Sequence, residues 1–148
     1  YGSVRCGPVT AEALAVPGRG GGITAVIGAL PFSLLTEHRE LQVPERRGRR
    51  VADATSGLLK LAVVERHGVN GHIGLGFVTG FGPLRGAIAS SIGHDSHNLI
   101  AAGDTDADMA LALNHLIETG EYQKILKRWG ISDGLVKEAM INERPVND

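Results

Sequence analysis

The feature that most limits the fold of this chain is a change of hydrophobic period near Gly103. Before it, apolar residues come in short runs bounded by glycine, proline and polar turns, which is the pattern of strands. After it, Met109, Leu113, Leu116 and Ile117 recur at helical spacing and form one apolar stripe, which is read as core. Thr105 and Asp108 have the spacing of a helix start, and Asp104 and Asp106 add negative charge at its amide-rich end. Residues 121–129 read as a second helix stopped at Gly130, and residues 135–141 as a third. Strands followed by helices predict an α+β fold: a mixed or mainly antiparallel sheet and then two to three C-terminal helices.

Within the strand-forming part, residues 58–66 (Leu-Leu-Lys-Leu-Ala-Val-Val-Glu-Arg) are the most strand-like and belong at the centre of a sheet. Residues 23–30 predict a strand closed by Pro31, which lacks a backbone donor. The alternation in residues 33–43 suits an edge strand. Further strands are expected over 73–82, 86–92 and 99–103, and a short helix over 10–15.

A length of 148 residues, with 43% apolar and 21% charged side chains, suits one globular domain with a real core. The net charge of -1 gives no global attraction to nucleic acid or to an anionic membrane. Arg46, Arg47, Arg49 and Arg50, broken by Gly48, read as a solvated turn. Cys6 is the single cysteine, so no internal disulfide forms, and a reducing, cytoplasmic setting is expected. No apolar run reaches the roughly 18 to 20 residues of a membrane span. The first residue is Tyr1 and no signal peptide is visible, which suggests a fragment of a longer protein.

Two glycine-rich stretches invite a nucleotide reading, and both fail it. Residues 18–22 lead into a strand instead of opening a helix and are read as a flexible connector. In residues 74–80 the third glycine falls one residue late, and Phe77-Val78 continues a strand where a helix should open. These glycines are read as places where strands bend or backbones approach closely.

The densest chemistry lies in residues 90–98, Ser-Ser-Ile-Gly-His-Asp-Ser-His-Asn, on the turn between two strands. His94, Asp95, Ser96, His97 and Asn98 supply two imidazoles, a carboxylate, a hydroxyl and an amide, suited to proton transfer or metal ligation. The same Asp, Ser and Asn also suit a turn held by side-chain to backbone bonds, and spacing alone leaves both readings open. A Ser91, His94, Asp95 relay is set aside because neighbours on one turn do not line up and no nucleophile elbow surrounds a serine. His38, His67, His72 and His115 are scattered and read as structural or exposed.

Residues 59–67, 74–82, 85–91 with 94–98, and Asp108-Met109-Ala110-Leu111-Ala112 together resemble the C-terminal domain of bacterial and archaeal adenine deaminases. Residues 23–37 look like the preceding part of that domain, and the likeness covers roughly residues 10–117. The resemblance implies hydrolysis of adenine to hypoxanthine and ammonia by a metal-activated water. It also implies a divalent transition metal (manganese, iron or zinc) held chiefly on a separate amidohydrolase barrel with an early His-x-His pair. No His-x-His occurs here, and the chain is too short for a barrel of about 250 residues. The implied role of His94, Asp95, Ser96, His97 and Asn98 is therefore accessory to a missing barrel, with His94 and His97 the candidate metal ligands and the isolated chain inactive. The implied partners are adenine or a related purine, the barrel, and further copies in a homo-oligomer.

Residues 120–131 and 134–142, with a Gly-x-Tyr-x-x-Ile-Leu-x-x-Trp-Gly pattern, instead resemble the C-terminal end of periplasmic solute-binding proteins that feed polar amino acids to ABC transporters. Tyr122, Ile125, Leu126 and Trp129 share one helical face and read as packing residues. The two resemblances meet within residues 113–120. The expectation is an adenine deaminase C-terminal-like domain over 1–118 and a helical tail over 119–148, in a chimaeric or rearranged chain. A fragment of a solute-binding protein is the alternative.

Overall fold

The structure, a computed structural model, describes residues 4–92 and 98–119 together with the strand backbones of residues 140–141 and 144–145. Its main element is a six-stranded sheet of β2 (Ile23–Ala29), β3 (Thr36–Gln42), β6 (Leu59–Val64), β7 (Ile73–Thr79), β8 (Ala87–Ser90) and β9 (Leu99–Gly103), in the order β3-β2-β7-β6-β9-β8. Every neighbouring pair is antiparallel except β2 with β7, so the sheet is mixed. β6 is central and β3 is an edge, as the apolar and alternating patterns predict. β1 (Val16–Pro17), β4 (Glu45–Arg46) and β5 (Arg49–Arg50) form a small second sheet. The arginine cluster is the tight β4–β5 hairpin, with Arg47 and Gly48 both at positive φ (51° and 71°), the geometry of a type I′ turn.

Among the described residues one helix, α1 (Asp106–Thr119), follows the sheet. The Thr105 hydroxyl accepts the Asp108 amide at 3.1 Å and donates to the Asp108 carboxylate at 2.6 Å, so the start signal works as a cap. Met109 and Leu113 are fully buried, Ile117 packs beside them, and Leu111 stands outward. The expected second helix, 121–129, lies outside the described residues, as do residues 135–139 of the third. Met140–Ile141, assigned from sequence to the end of that third helix, instead form a strand, β10, paired with β11 (Arg144–Pro145). The expected helix over 10–15 shortens to a single 3-10 turn, Glu12–Leu14. Pro17 shortly after it cannot continue a helix, and Val16–Pro17 are taken into β1.

Register decides which side chains meet. Val64 faces Leu99 and Ala62 faces Ala101, and these residues pack with Met109, Leu113, Val9 and Leu14 in the largest core cluster. Each buried Val, Leu or Met among them contributes roughly 1.5–3 kcal/mol. The N-terminal segment is strapped to the helix by one side chain: Asn114 accepts the Val9 amide at 2.8 Å and donates to the Val9 carbonyl at 2.9 Å. On the other face a smaller cluster joins Leu59, Val78 and Ala102, with Leu84 of the β7–β8 loop over it. Gly80 marks a close approach: a β-carbon there would fall 2.0 Å from the Ala29 carbonyl oxygen, where β2 and β7 run parallel.

Lys60 sits on the helix side of the central strand and is 2% exposed. Its ammonium donates to the Leu14 carbonyl at 2.5 Å and pairs with Asp106, the first residue of α1. Removing the anion strands a buried cation, whereas removing the cation leaves a carboxylate that reaches water. Asp106→Ala is therefore expected to cost about 3 kcal/mol and Lys60→Met distinctly less. Urea unfolding of the two variants checks the order; equal losses would contradict it.

Candidate functional site

The polar cluster lies on the connection between β8 and β9, at the end of the sheet shared with the β6–β7 loop. His94, Asp95, Ser96 and His97 fall outside the described residues, and Asn98 is the candidate the structure describes. What it does define is how the two ends of this connection are held.

At the entry, the Ser90 hydroxyl accepts the Ile92 amide at 3.1 Å and donates to the Ile92 carbonyl at 3.2 Å, so the turn is closed by its own side chain. Arg66, 6% exposed at the end of the central strand run, donates from its guanidinium to the Ser91 carbonyl at 2.8 Å. At the exit, Leu99 is fully buried opposite Val64. Asn98 beside it has a buried side-chain oxygen that accepts no hydrogen bond among the described residues. An unmatched buried carbonyl costs about 1–3 kcal/mol, so this position calls for a donor.

Next to Arg66, the Glu65 carboxylate gathers the backbone amides of His67, Val69, Asn70 and Gly71 at 2.6 to 3.4 Å. Loss of water around it pushes the carboxyl up, but the combined amide donation from Gly71, His67, Asn70 and Val69 outweighs that and leaves it below its usual value. The loop beside the cluster is thus wound around an anion supplied by the chain itself. Sequence reading placed Glu65 and Arg66 only as the last residues of the strand-like run 58–66. The signal available was two opposite charges directly abutting the most apolar run.

A second anion cradle answers the glycine question. The Arg19 amide donates to Glu45 at 2.8 Å, and Gly20, Gly21 and Gly22 all adopt positive φ around it. The Glu45 carboxyl is held below its usual range first by the Arg19 amide and then by Gly21, against a smaller opposing push from lost hydration. This stretch is anchored, contrary to the flexible connector expected from composition. Its amides face an internal carboxylate, where a phosphate would otherwise be sought.

His38, His67, His72 and His115 are exposed. Among the described residues, no three His, Cys, Asp or Glu side chains are grouped as metal ligands. No helix among them is long and apolar enough to cross a membrane. Along the face of β8 and β9 turned away from α1 runs a shallow apolar pocket of about 280 Å³, lined by Leu61, Phe81, Ile88, Ser90, Ile92 and Ile100.

Comparison with known proteins matches residues 33–121 to the adenine deaminase C-terminal domain. The chain is 53% identical over 116 residues to an adenine deaminase of Methylobacterium nodulans, covering 78% of this chain and 20% of that one. It is 50% identical over 113 residues to that of Gluconobacter oxydans, with 76% and 20% covered. It is 47% identical over 126 residues to adenine deaminase 1 of Carboxydothermus hydrogenoformans, with 84% and 21% covered. The chain thus spans about a fifth of the length of these curated relatives.

Because the depressed acidity of Glu65 comes from the loop it binds, its stabilising effect is present above the usual value of 4.5 and is lost as pH falls through the lower folded-state value. The amide proton shifts of Val69, Asn70 and Gly71 are expected to titrate together in an NMR pH series, with a shared midpoint below 4.5. A midpoint at or above that value would contradict the cradle.

Proposed function

Since the chain belongs to the adenine deaminase C-terminal domain family, we propose that it serves as the accessory, non-barrel portion of an adenine deaminase. In this reading the whole enzyme hydrolyses adenine to hypoxanthine and ammonia, and this portion presents residues 94–98 to the reacting site. The observation that carries the reading is about 50% identity to adenine deaminases over roughly three-quarters of the chain, through the strands that hold the β8–β9 connection.

The chemistry of the described residues supports a positioning role. Arg66 and Ser90 fix the entry of the connection, Leu99 fixes its exit, and Asn98 offers an acceptor that a donor would complete. The divalent metal of the parent enzyme, manganese, iron or zinc, belongs in this reading to the part of the enzyme beyond the matched fifth. When bound there it would supply an activated water. The described residues offer no ligand set for it, and no step is assigned to them through it.

The test is a hybrid in which this chain replaces the matched segment of the Methylobacterium nodulans enzyme. The hybrid is expected to release ammonia from adenine, while the chain alone releases none. Replacing both His94 and His97 by Ala in the hybrid is expected to lower kcat at least about a hundredfold, the lower end of what a positioned proton-transfer group contributes. Unchanged turnover in that double variant would remove the cluster from the reaction, and an inactive hybrid would remove the deaminase reading.

A further inference from the structure

The six-stranded sheet has two very different faces. One is covered by α1 and the N-terminal segment. Register identifies the residues of the other: Ile27 stands beside Val78, Val78 faces Leu59, Leu61 faces Ala102, and Ala102 faces Ile88. Among the described residues only the β7–β8 loop packs on this second face, through Leu84.

What remains uncovered is apolar and lies around that covered cluster. Ile23 is 72% exposed, Ile27 43%, Phe81 50%, Ile88 45% and Ile92 68%. At Gly74 and Gly76, opposite Val63 and Leu61, β7 presents bare backbone to the same face. A β-carbon at Gly76 would meet nothing within 4 Å, so packing inside the described residues does not demand these glycines. They leave a shallow trough beside Leu61, and the apolar pocket follows along β8 and β9. The rim is polar on both sides: Thr36, His38, Glu40 and Gln42 of edge strand β3 lie opposite Ala29, Ile27, Ala25 and Ile23, and Ser90 leads into the polar connection at the far edge. An apolar centre inside a polar rim is the anatomy of a protein interface, and monomers rarely leave a broad aliphatic face to water.

We infer that this open face is the docking surface for the larger remaining portion of an adenine deaminase chain, which would cover Ile27, Leu61 and Ile88 with an apolar surface of its own. The inference rests on the function proposed above and adds which side of the domain is used. Two observations select this occupant. The matched relatives carry about four-fifths of their length beyond the region this chain covers. The face also reaches the entry of the β8–β9 connection, because Ser90 and Ile92 line its pocket. A body seated on the apolar centre therefore meets the entry of the β8–β9 connection at its margin.

Labelling distinguishes the faces. In a Cys6→Ser background, single Ile27→Cys, Ile88→Cys and Leu111→Cys substitutions place thiols at two positions on the open face and one on the outward side of α1, all exposed. Maleimide labelling is read by peptide mass in the isolated chain and in the Methylobacterium nodulans hybrid. The expected result is at least tenfold slower labelling of Ile27→Cys and Ile88→Cys in the hybrid, with Leu111→Cys unchanged. Equal rates at all three positions, or protection of Leu111→Cys alone, would overturn the inference. Protection already present in the isolated chain would also overturn it. If it grows with concentration the occupant is a second copy, and if it does not the occupant is the chain's own tail. Protection in a hybrid that fails to deaminate would keep the docking face and discard the deaminase reading.

Discussion

The ammonium of Lys60 is the point on which the packed side of this domain depends. It reaches from the start of the central strand to a backbone carbonyl of the N-terminal segment and to the first residue of the helix. A cation so deeply placed is tolerated only when its protons are matched, so the helix start and the N-terminal turn are fixed relative to β6 together. The Asn114 bridge to Val9 repeats the arrangement two turns further along the helix. Polar contacts thus set the position of elements whose adhesion comes from Met109, Leu113, Leu99 and Leu14.

The opposite end of the same strand is organised for display. Arg66 and Glu65, adjacent and oppositely charged, each order a different loop: the guanidinium holds the entry to the β8–β9 connection, and the carboxylate winds the 67–71 turn. Their placement gives the cluster-bearing connection a rigid base, a condition for positioning groups on a loop within a fraction of an ångström.

Most of the sheet was legible because its strands carry their own punctuation. The run 58–66 announces a buried centre, Pro31 ends a strand, and Thr105 with Asp108 opens the helix. Lys60 was not legible as a buried anchor, since a lysine near the start of an apolar strand looks the same whether it faces water or a partner forty-six residues away. The glycines of 18–22 misled for a related reason: composition gives their freedom, while the carboxylate of Glu45 that removes it lies on a different hairpin. At the candidate site, sequence located the connection and its residue types. It could not show that Asn98 holds an oxygen unmatched among the described residues or that Arg66 grips Ser91, because both depend on which strands become neighbours.

The strapping of Val9 to Asn114 has a topological consequence. Polypeptide leading into residue 9 arrives on the helix side, whereas the bare aliphatic face lies on the far side of the sheet. Any upstream body seated on that face must pass its connecting segment around a sheet edge, so the domain would be gripped from both sides, as a tongue is held in a buckle. The connecting segment then acts as a tether that keeps the effective concentration of the seated body high. Under that geometry a shallow pocket in an open apolar face suffices for a stable seat, because the two surfaces never have to find each other by diffusion.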